Sequence, residues 1–238
     1  MTVSDSYLSG SATFTWTVWT VDKVSVTSPG NQATALGAAA SLQTHATSSA
    51  ALPLSYSASG LPTGLSINRS TGLISGKTKA AGRHPATVTV SDGITSGSVT
   101  FLWAVTATTT YTGTIRLVKL GYCLDDRGNS SSSGAIVQVW KCTGRAAQVW
   151  QVMNDGTIRH NGLCLDAAGY GTANGTKVQL WACTGKPNQR WNPRNSRVNY
   201  ANPAAVNMVL TDPGNGGNGT QQELWTDNGT KNQIWATS

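Results

Sequence analysis

Charge is scarce in this chain: Asp, Glu, Lys and Arg make up 11% of its 238 residues, and there are only two Phe. Low charge together with 26 Gly argues against a disordered chain and for ordered, turn-rich β structure, in a length sufficient for two ordinary domains. No stretch approaches the ~20 consecutive apolar residues of a membrane span, so no part of the chain is expected to cross a bilayer. Basic residues outnumber acidic ones by 17 to 10, but they are scattered and form no run that would follow a phosphate backbone. Nucleic acid is therefore not an expected partner. There is no C-x-x-C and no His beside a Cys, which leaves no local ligand set for a tetrahedral metal site, and neither metal nor cofactor is expected. The first residues after Met1 are polar and lack the basic start of a secretory leader.

What the chain does contain is regular. Its four cysteines fall as Cys123 and Cys142, then Cys164 and Cys183, with a separation of 19 in both pairs. The better reading is two disulfides, each closing one repeat and each contributing on the order of 3 kcal/mol by loop closure. Disulfides imply an oxidising compartment, so a secreted, extracellular or cell-surface location is expected. Because no leader precedes them, the chain is expected to be a fragment of a longer protein.

Two sets of repeats divide the sequence. Val3-Ser4-Asp5, Gly10-Ser11, Phe14, Trp16 and Val18 recur as Val90-Ser91-Asp92, Gly97-Ser98, Phe101, Trp103 and Val105 at a constant offset of 87. Residues 1–20 thus read as the last two strands of a truncated copy, expected to fray or to pair between molecules. Residues 21–106 read as the complete copy, a β-sandwich of alternating segments cut by Gly, Pro, Asn and Asp turns. Residues 107–110 lack periodicity and read as an extended linker. From 111 to 238, three copies of about 40 residues follow, marked by Trp140 and Trp150, Trp181 and Trp191, and Trp225 and Trp235, each pair ten apart. No copy alone can bury its apolar strand faces, so a closed three-fold β architecture is expected.

Nine Trp suit either core packing or stacking on sugars. Each of the first two copies contains Cys-Leu-Asp, a Gly-rich loop, Gln-x-Trp-x-Cys and a closing Gln-x-Trp: Cys123-Leu124-Asp125, Gln138-Val139-Trp140 and Gln148-Val149-Trp150, then Cys164-Leu165-Asp166, Gln179-Leu180-Trp181 and Gln189-Arg190-Trp191. This pattern resembles the ricin-B lectin family, and the resemblance implies a β-trefoil over 111–238 that binds carbohydrate. The stretch Gly60-Leu61-Pro62-Thr63-Gly64-Leu65, with Ser70-Thr71-Gly72-Leu73-Ile74-Ser75-Gly76, resembles the Ig-like repeats of bacterial surface and secreted proteins. That implies a spacer without chemistry of its own. The fold class expected is all-β, an Ig-like β-sandwich followed by a β-trefoil.

A sugar offers a rim of hydroxyls and a weakly apolar C–H face, so its site needs an acceptor, a donor and a flat aromatic wall. By resemblance, Asp166 accepts sugar hydroxyls, two adjacent ones through charge-assisted bonds, while Trp181 is the wall and Gln179 lines the pocket. Asn188 donates, and Gln189 orients Asp166 from behind. The first copy keeps Asp125, Gln138, Trp140 and Gln148, but Ala147 stands where the second has Asn188, a loss of ~1 kcal/mol that weakens binding several-fold. In the third, Thr211 replaces the key Asp and Glu223 the Gln, both cysteines are absent, and Asp212 lies one residue late on the strand. That copy is expected to be silent.

Alternative readings stand beside these. Trp150, Trp191 and Trp235 fit the shared core, whereas Trp140, Trp181 and Trp225 fit either core or ligand face; Asp125 and Asp166 could be turn residues. His45, His84 and His160 read as surface or hydrogen-bonded histidines, and Asp5 and Asp92 as turn residues without the further carboxylates a Ca²⁺ loop requires. The leading function is non-catalytic binding of galactose-, arabinose- or xylose-type glycans by a monomeric protein. No facing pair of carboxyls for glycoside hydrolysis is evident. The remaining alternative is a structural or adhesive module that binds protein through a degenerate sugar site.

Overall fold

The computed structural model describes residues 2–4, 9–16, 21–214 and 216–238. Strands dominate, and the only helical pieces among the described residues are 3-10 turns of three residues each. Two separate apolar cores form, one from residues between Val24 and Val105 and one from residues between Ile115 and Trp235.

The first core lies inside a β-sandwich. Its longest sheet orders Gln32–Ala35, Ser96–Thr106, Gly82–Ser91 and Ser55–Ser59, with the first pair parallel and the others antiparallel. Ala39–Gln43, Leu73–Lys77 and Leu65–Ile67 make a second sheet, and Val24–Thr27 pairs with His45–Ser48. Period-two alternation sends Ala86, Val88 and Val90, and Phe101, Trp103 and Val105, to the interior while Thr87, Thr89 and Thr100 face outward. Buried Trp103 still places its indole N–H on the Thr34 hydroxyl at 3.0 Å. The Gly-Leu-Pro-Thr-Gly turn works by close approach: a Cβ on Gly64 would lie 2.1 Å from the Lys77 carbonyl oxygen. Only glycine fits there.

Thr2–Ser4 pairs with Ser9–Ser11, joining Val3 to Gly10. This is the register that joins Val90 to Gly97 in the sandwich hairpin, displaced by the repeat offset of 87. The surroundings differ, because Phe14 and Trp16 are 58% and 81% exposed where Phe101 and Trp103 are 5% and 2%. Asp5, Val18 and other parts of the stretch expected to fray, residues 1, 5–8 and 17–20, lie outside the described residues.

The segment expected to be a linker is extended, but Thr109–Gly113 is already a strand, hydrogen-bonded to Trp150–Met153. At this junction the Asn154 amide accepts from the Thr108 backbone N–H (2.8 Å) and donates to the Leu36 carbonyl (3.2 Å), touching both folded units.

The second unit is a β-trefoil. Its first strand, Ile115–Leu117, pairs with its last, Trp235–Thr237, closing the ring. The closing tryptophans are the centre of the core: Trp150, Trp191 and Trp235 are buried, and each indole N–H donates to the carbonyl of Leu124, Leu165 or Leu210 at 2.8 to 2.9 Å. The same bond in the third copy places Leu210 where Leu124 and Leu165 stand, despite the missing disulfide. The disulfides Cys123–Cys142 and Cys164–Cys183 close the first two copies.

Candidate functional site

Each copy brings three elements together in one way. A strand carrying the key position (Tyr122–Asp126 or Leu163–Ala167) pairs with the strand carrying Gln-x-Trp (Ala135–Lys141 or Val178–Ala182), setting Asp125 opposite Gln138 and Asp166 opposite Gln179. A 3-10 turn, Ala146–Gln148 or Pro187–Gln189, then returns a second Gln to the same carboxylate. Residues adjacent in space are thus 13 and 23 positions apart in sequence.

In the second copy Asp166 is nearly buried. Its Oδ1 accepts from Gln179 Nε2 (3.1 Å), and its Oδ2 accepts from Asn188 Nδ2 (2.7 Å) and Gln189 Nε2 (3.0 Å). Burial raises the Asp166 carboxyl above the ordinary carboxylate range, and the three amides oppose that rise without cancelling it. Gln189 is fixed in turn: its Nε2 also donates to the Ala182 carbonyl, and its Oε1 accepts from the Thr184 backbone N–H at 2.8 Å. Around this carboxylate is a pocket of about 370 Å³ lined by Asp166, Gly169, Tyr170, Gln179, Trp181, Thr184 and Asn188. Trp181 is 43% exposed and so presents a face to it.

Two details differ from the sequence expectation. Asn188 does not offer a free donor, because its Nδ2 is committed to Asp166 and to the Ala167 carbonyl (3.3 Å), and its Oδ1 is buried without a partner. Asp166 likewise has three of its roughly four acceptor positions filled, which leaves room for one hydroxyl directly rather than two. Tyr170, a second aromatic in the pocket, was not anticipated; it sits in a Gly-rich loop at φ 60°.

The first copy repeats the plan with fewer bonds. Asp125 accepts from Gln138 (2.8 Å) and Gln148 (3.1 Å), one per oxygen, and Gln148 is anchored by Lys141 O and Thr143 N. With Ala147 in place of Asn188, each Asp125 oxygen keeps an open lone pair. The pocket is larger, about 580 Å³, and is lined also by Arg127, Asn129, Arg145 and half-buried Trp140. Beneath it lies Asp126, fully buried, with His160 Nε2 at 3.4 Å. Burial raises the Asp126 carboxyl, with His160 opposing. His160 is held between the Val149 carbonyl and Asn129.

The third copy has lost the arrangement. Thr211 accepts Gln233 Nε2 at 3.1 Å in place of a carboxylate, and Glu223 is tied to Lys177 at 2.7 Å. Asp212 is fully buried, accepting from the backbone N–H groups of Gly214 and Gly216. Trp225 remains 39% exposed, over a site with no carboxylate at the key position.

Each pocket is lined by one repeat, but the repeats are tied to one another behind it. The residue after each ligand-side Trp donates its backbone N–H to a side chain of another copy: Lys141 to Asn218 (2.8 Å), Ala182 to Ser133 (2.9 Å) and Thr226 to Asn174 (2.8 Å). A Cβ on Gly134 or Gly219 would lie within 4 Å of Trp181 or Trp140 respectively.

In the sandwich, Asp92 is engaged as a turn residue, its carboxylate accepting from the Thr95 and Ile94 N–H groups and the Ser48 hydroxyl. No group of three or more His, Cys, Asp or Glu side chains capable of holding a metal occurs among the described residues. No helix there is long and apolar enough to cross a membrane.

A three-fold trefoil with an amide-braced carboxylate beside an exposed indole defines a sugar-binding class of protein. Residues 111–235 match the family described as Ricin-type beta-trefoil lectin domain, and the chain belongs to that family, a non-catalytic carbohydrate-binding fold. Residues 22–106 match the family described as "Putative Ig domain". A comparison with curated protein sequences finds no match. Similar solved structures include the agglutinin from Abrus precatorius, 25% identical over 54% of this chain and 48% of that one, with a TM-score of 0.48. The designed three-fold symmetric protein ThreeFoil is 23% identical over 52% of this chain and 95% of its own, with a TM-score of 0.46. The C-half of the earthworm R-type lectin, solved with GalNAc, is 19% identical over 52% and 95%, with a TM-score of 0.45.

Proposed function

We propose that the second trefoil repeat is the principal sugar site of this protein, that the first is a second site, and that the sandwich is a spacer in a secreted or surface protein. The observation that carries this reading is Asp166, held by Gln179, Asn188 and Gln189 beside exposed Trp181. The carboxylate takes a ring hydroxyl, and the indole covers the C–H face of a galactose-, arabinose- or xylose-type residue. Hydrolysis is not part of the proposal, since the second pocket holds one acid and Asp126 in the first is too deeply buried to reach a glycosidic oxygen.

Trp fluorescence during titration with galactose, lactose, arabinose and xylo-oligosaccharides tests it. Saturable binding of roughly 0.1 to 1 mM is expected, lost mainly in Asp166→Ala and less in Asp125→Ala. A folded protein that responds to none of these sugars overturns the reading and favours the adhesive alternative.

A further inference from the structure

The two intact pockets differ in charge. The second is lined by one carboxylate and no cation. The first is lined by Asp125 and Asp126 together with Arg127 and Arg145. At the repeat offset of 41, Arg127 corresponds to Ala168, and Arg145 to Lys186, which does not line the second pocket.

Both guanidiniums are held toward the first pocket by bonds that leave donors over. Arg127 donates through Nε to Gln138 Oε1 (2.9 Å) and through Nη2 to the Gly219 carbonyl (3.1 Å). Arg145 donates only through Nε, to the Thr143 hydroxyl at 3.1 Å, so its planar Nη1/Nη2 edge is uncommitted. The two acids lie away from these guanidinium edges in their bonding: Asp126 is fully buried beside His160, and Asp125 accepts from two amides. The absent Asn188 counterpart enlarges the space, since Ala147 lines the wall.

We propose that the first-repeat pocket selects sugars bearing an anionic group, a ring carboxylate or a sulfate ester, which Arg145 and Arg127 receive while Asp125 takes the hydroxyls and Trp140 the ring face. A guanidinium meets a carboxylate or sulfate through paired, parallel hydrogen bonds, so the preference is geometric as well as electrostatic. The two sites of one trefoil then read different units of a mixed, partly acidic polysaccharide. This inference rests on the reading of the trefoil as a sugar binder.

The test is calorimetric titration of the full chain at low salt with tri-galacturonate, galactose 6-sulfate and their neutral counterparts. The proteins are wild type, Asp166→Ala, Asp125→Ala, Arg145→Gln and Arg127→Gln/Arg145→Gln. In Asp166→Ala, where the first site acts alone, at least one anionic probe is expected to bind about five-fold or more tightly than its neutral counterpart, with the advantage falling as salt rises. The two anionic arms tell carboxylate from sulfate. Asp125→Ala should abolish the preference, and the double arginine variant should bring the affinity ratio close to one. If Asp166→Ala does not fold, the ratios in wild type, Asp125→Ala and Arg145→Gln carry the same comparison. Equal binding of anionic and neutral sugars, or a preference that survives loss of both arginines, overturns the proposal. Neutral sugar binding through Asp166 with no anion preference sinks this inference alone, whereas no binding of any sugar sinks it together with the proposed function.

Discussion

Gln189 grips Asp166 and a separate loop at once, donating to the carboxylate at 3.0 Å while its own carbonyl oxygen accepts from Thr184 at 2.8 Å. Its side chain is fully buried, so it acts on a ligand through Asp166. Gln189→Ala should lower stability by about 1 to 3 kcal/mol, the cost of leaving buried partners unsatisfied, and should weaken second-site sugar binding about ten-fold. Denaturant unfolding and the fluorescence titration read the two effects; a stable variant with undiminished affinity would deny Gln189 its orienting part.

Acid should separate binding from stability. Burial raises the Asp166 carboxyl, so as pH falls it gains its proton earlier than an ordinary aspartate, and a sugar hydroxyl loses its charged acceptor. For folding the sign is opposite. Between the unfolded and the raised folded pKa the native state holds more protons, so this one group favours folding as pH drops. Second-site affinity should therefore decline at pH values above the usual carboxylate range with no matching loss of melting temperature from Asp166. Comparing wild type with Asp166→Asn across that range checks both directions.

Asp92 works the other way. The Thr95 amide first, then the Ser48 hydroxyl and the Ile94 amide, lower its carboxyl to about 2 against the opposing effect of burial. Its contribution to the sandwich is complete above the unfolded pKa and lost as pH falls through about 2. Asp92→Asn should lower the melting temperature of the sandwich at neutral pH, with the gap to wild type closing toward pH 2 in calorimetry.

The third repeat, expected to be silent, should gain a site through two substitutions. Asn232 already donates to the Asp212 carbonyl at 2.9 Å, as Asn188 does to Ala167, and Gln233 already points at position 211. Thr211→Asp alone would set a carboxylate near Glu223 and should bind no sugar. Thr211→Asp with Glu223→Gln should raise the calorimetric stoichiometry by one site, and no change would show that the loop after Asp212 also matters.

The sequence carried the trefoil unusually far, because its landmarks are residues with one structural job. A closing Trp must bury its ring and satisfy its N–H, and the same leucine carbonyl does so in all three copies. Asp125 and Asp166 were visible because they recur beside each Cys. Arg127, Arg145 and Tyr170 were not, since they lie where the copies differ and where left-handed loop residues such as Asn129 and Tyr170 decide what overhangs the pocket. Pattern reveals what repeats; these pockets are distinguished by what does not. The strand Thr109–Gly113 was not legible either, because threonines at 109 and 110 look the same in a linker and on a sheet edge.

The backbone clasp behind each ligand-side Trp has an ancestral consequence. Asn218 serves the first repeat, Ser133 the second and Asn174 the third, so the dependence runs around a closed circuit. A solitary forty-residue forerunner would have carried the lining of a pocket but left this backbone N–H without its partner. Three copies close the circuit, and within it the pocket positions are free to differ, as Arg127 does from Ala168 and Thr211 from Asp166, without opening the ring.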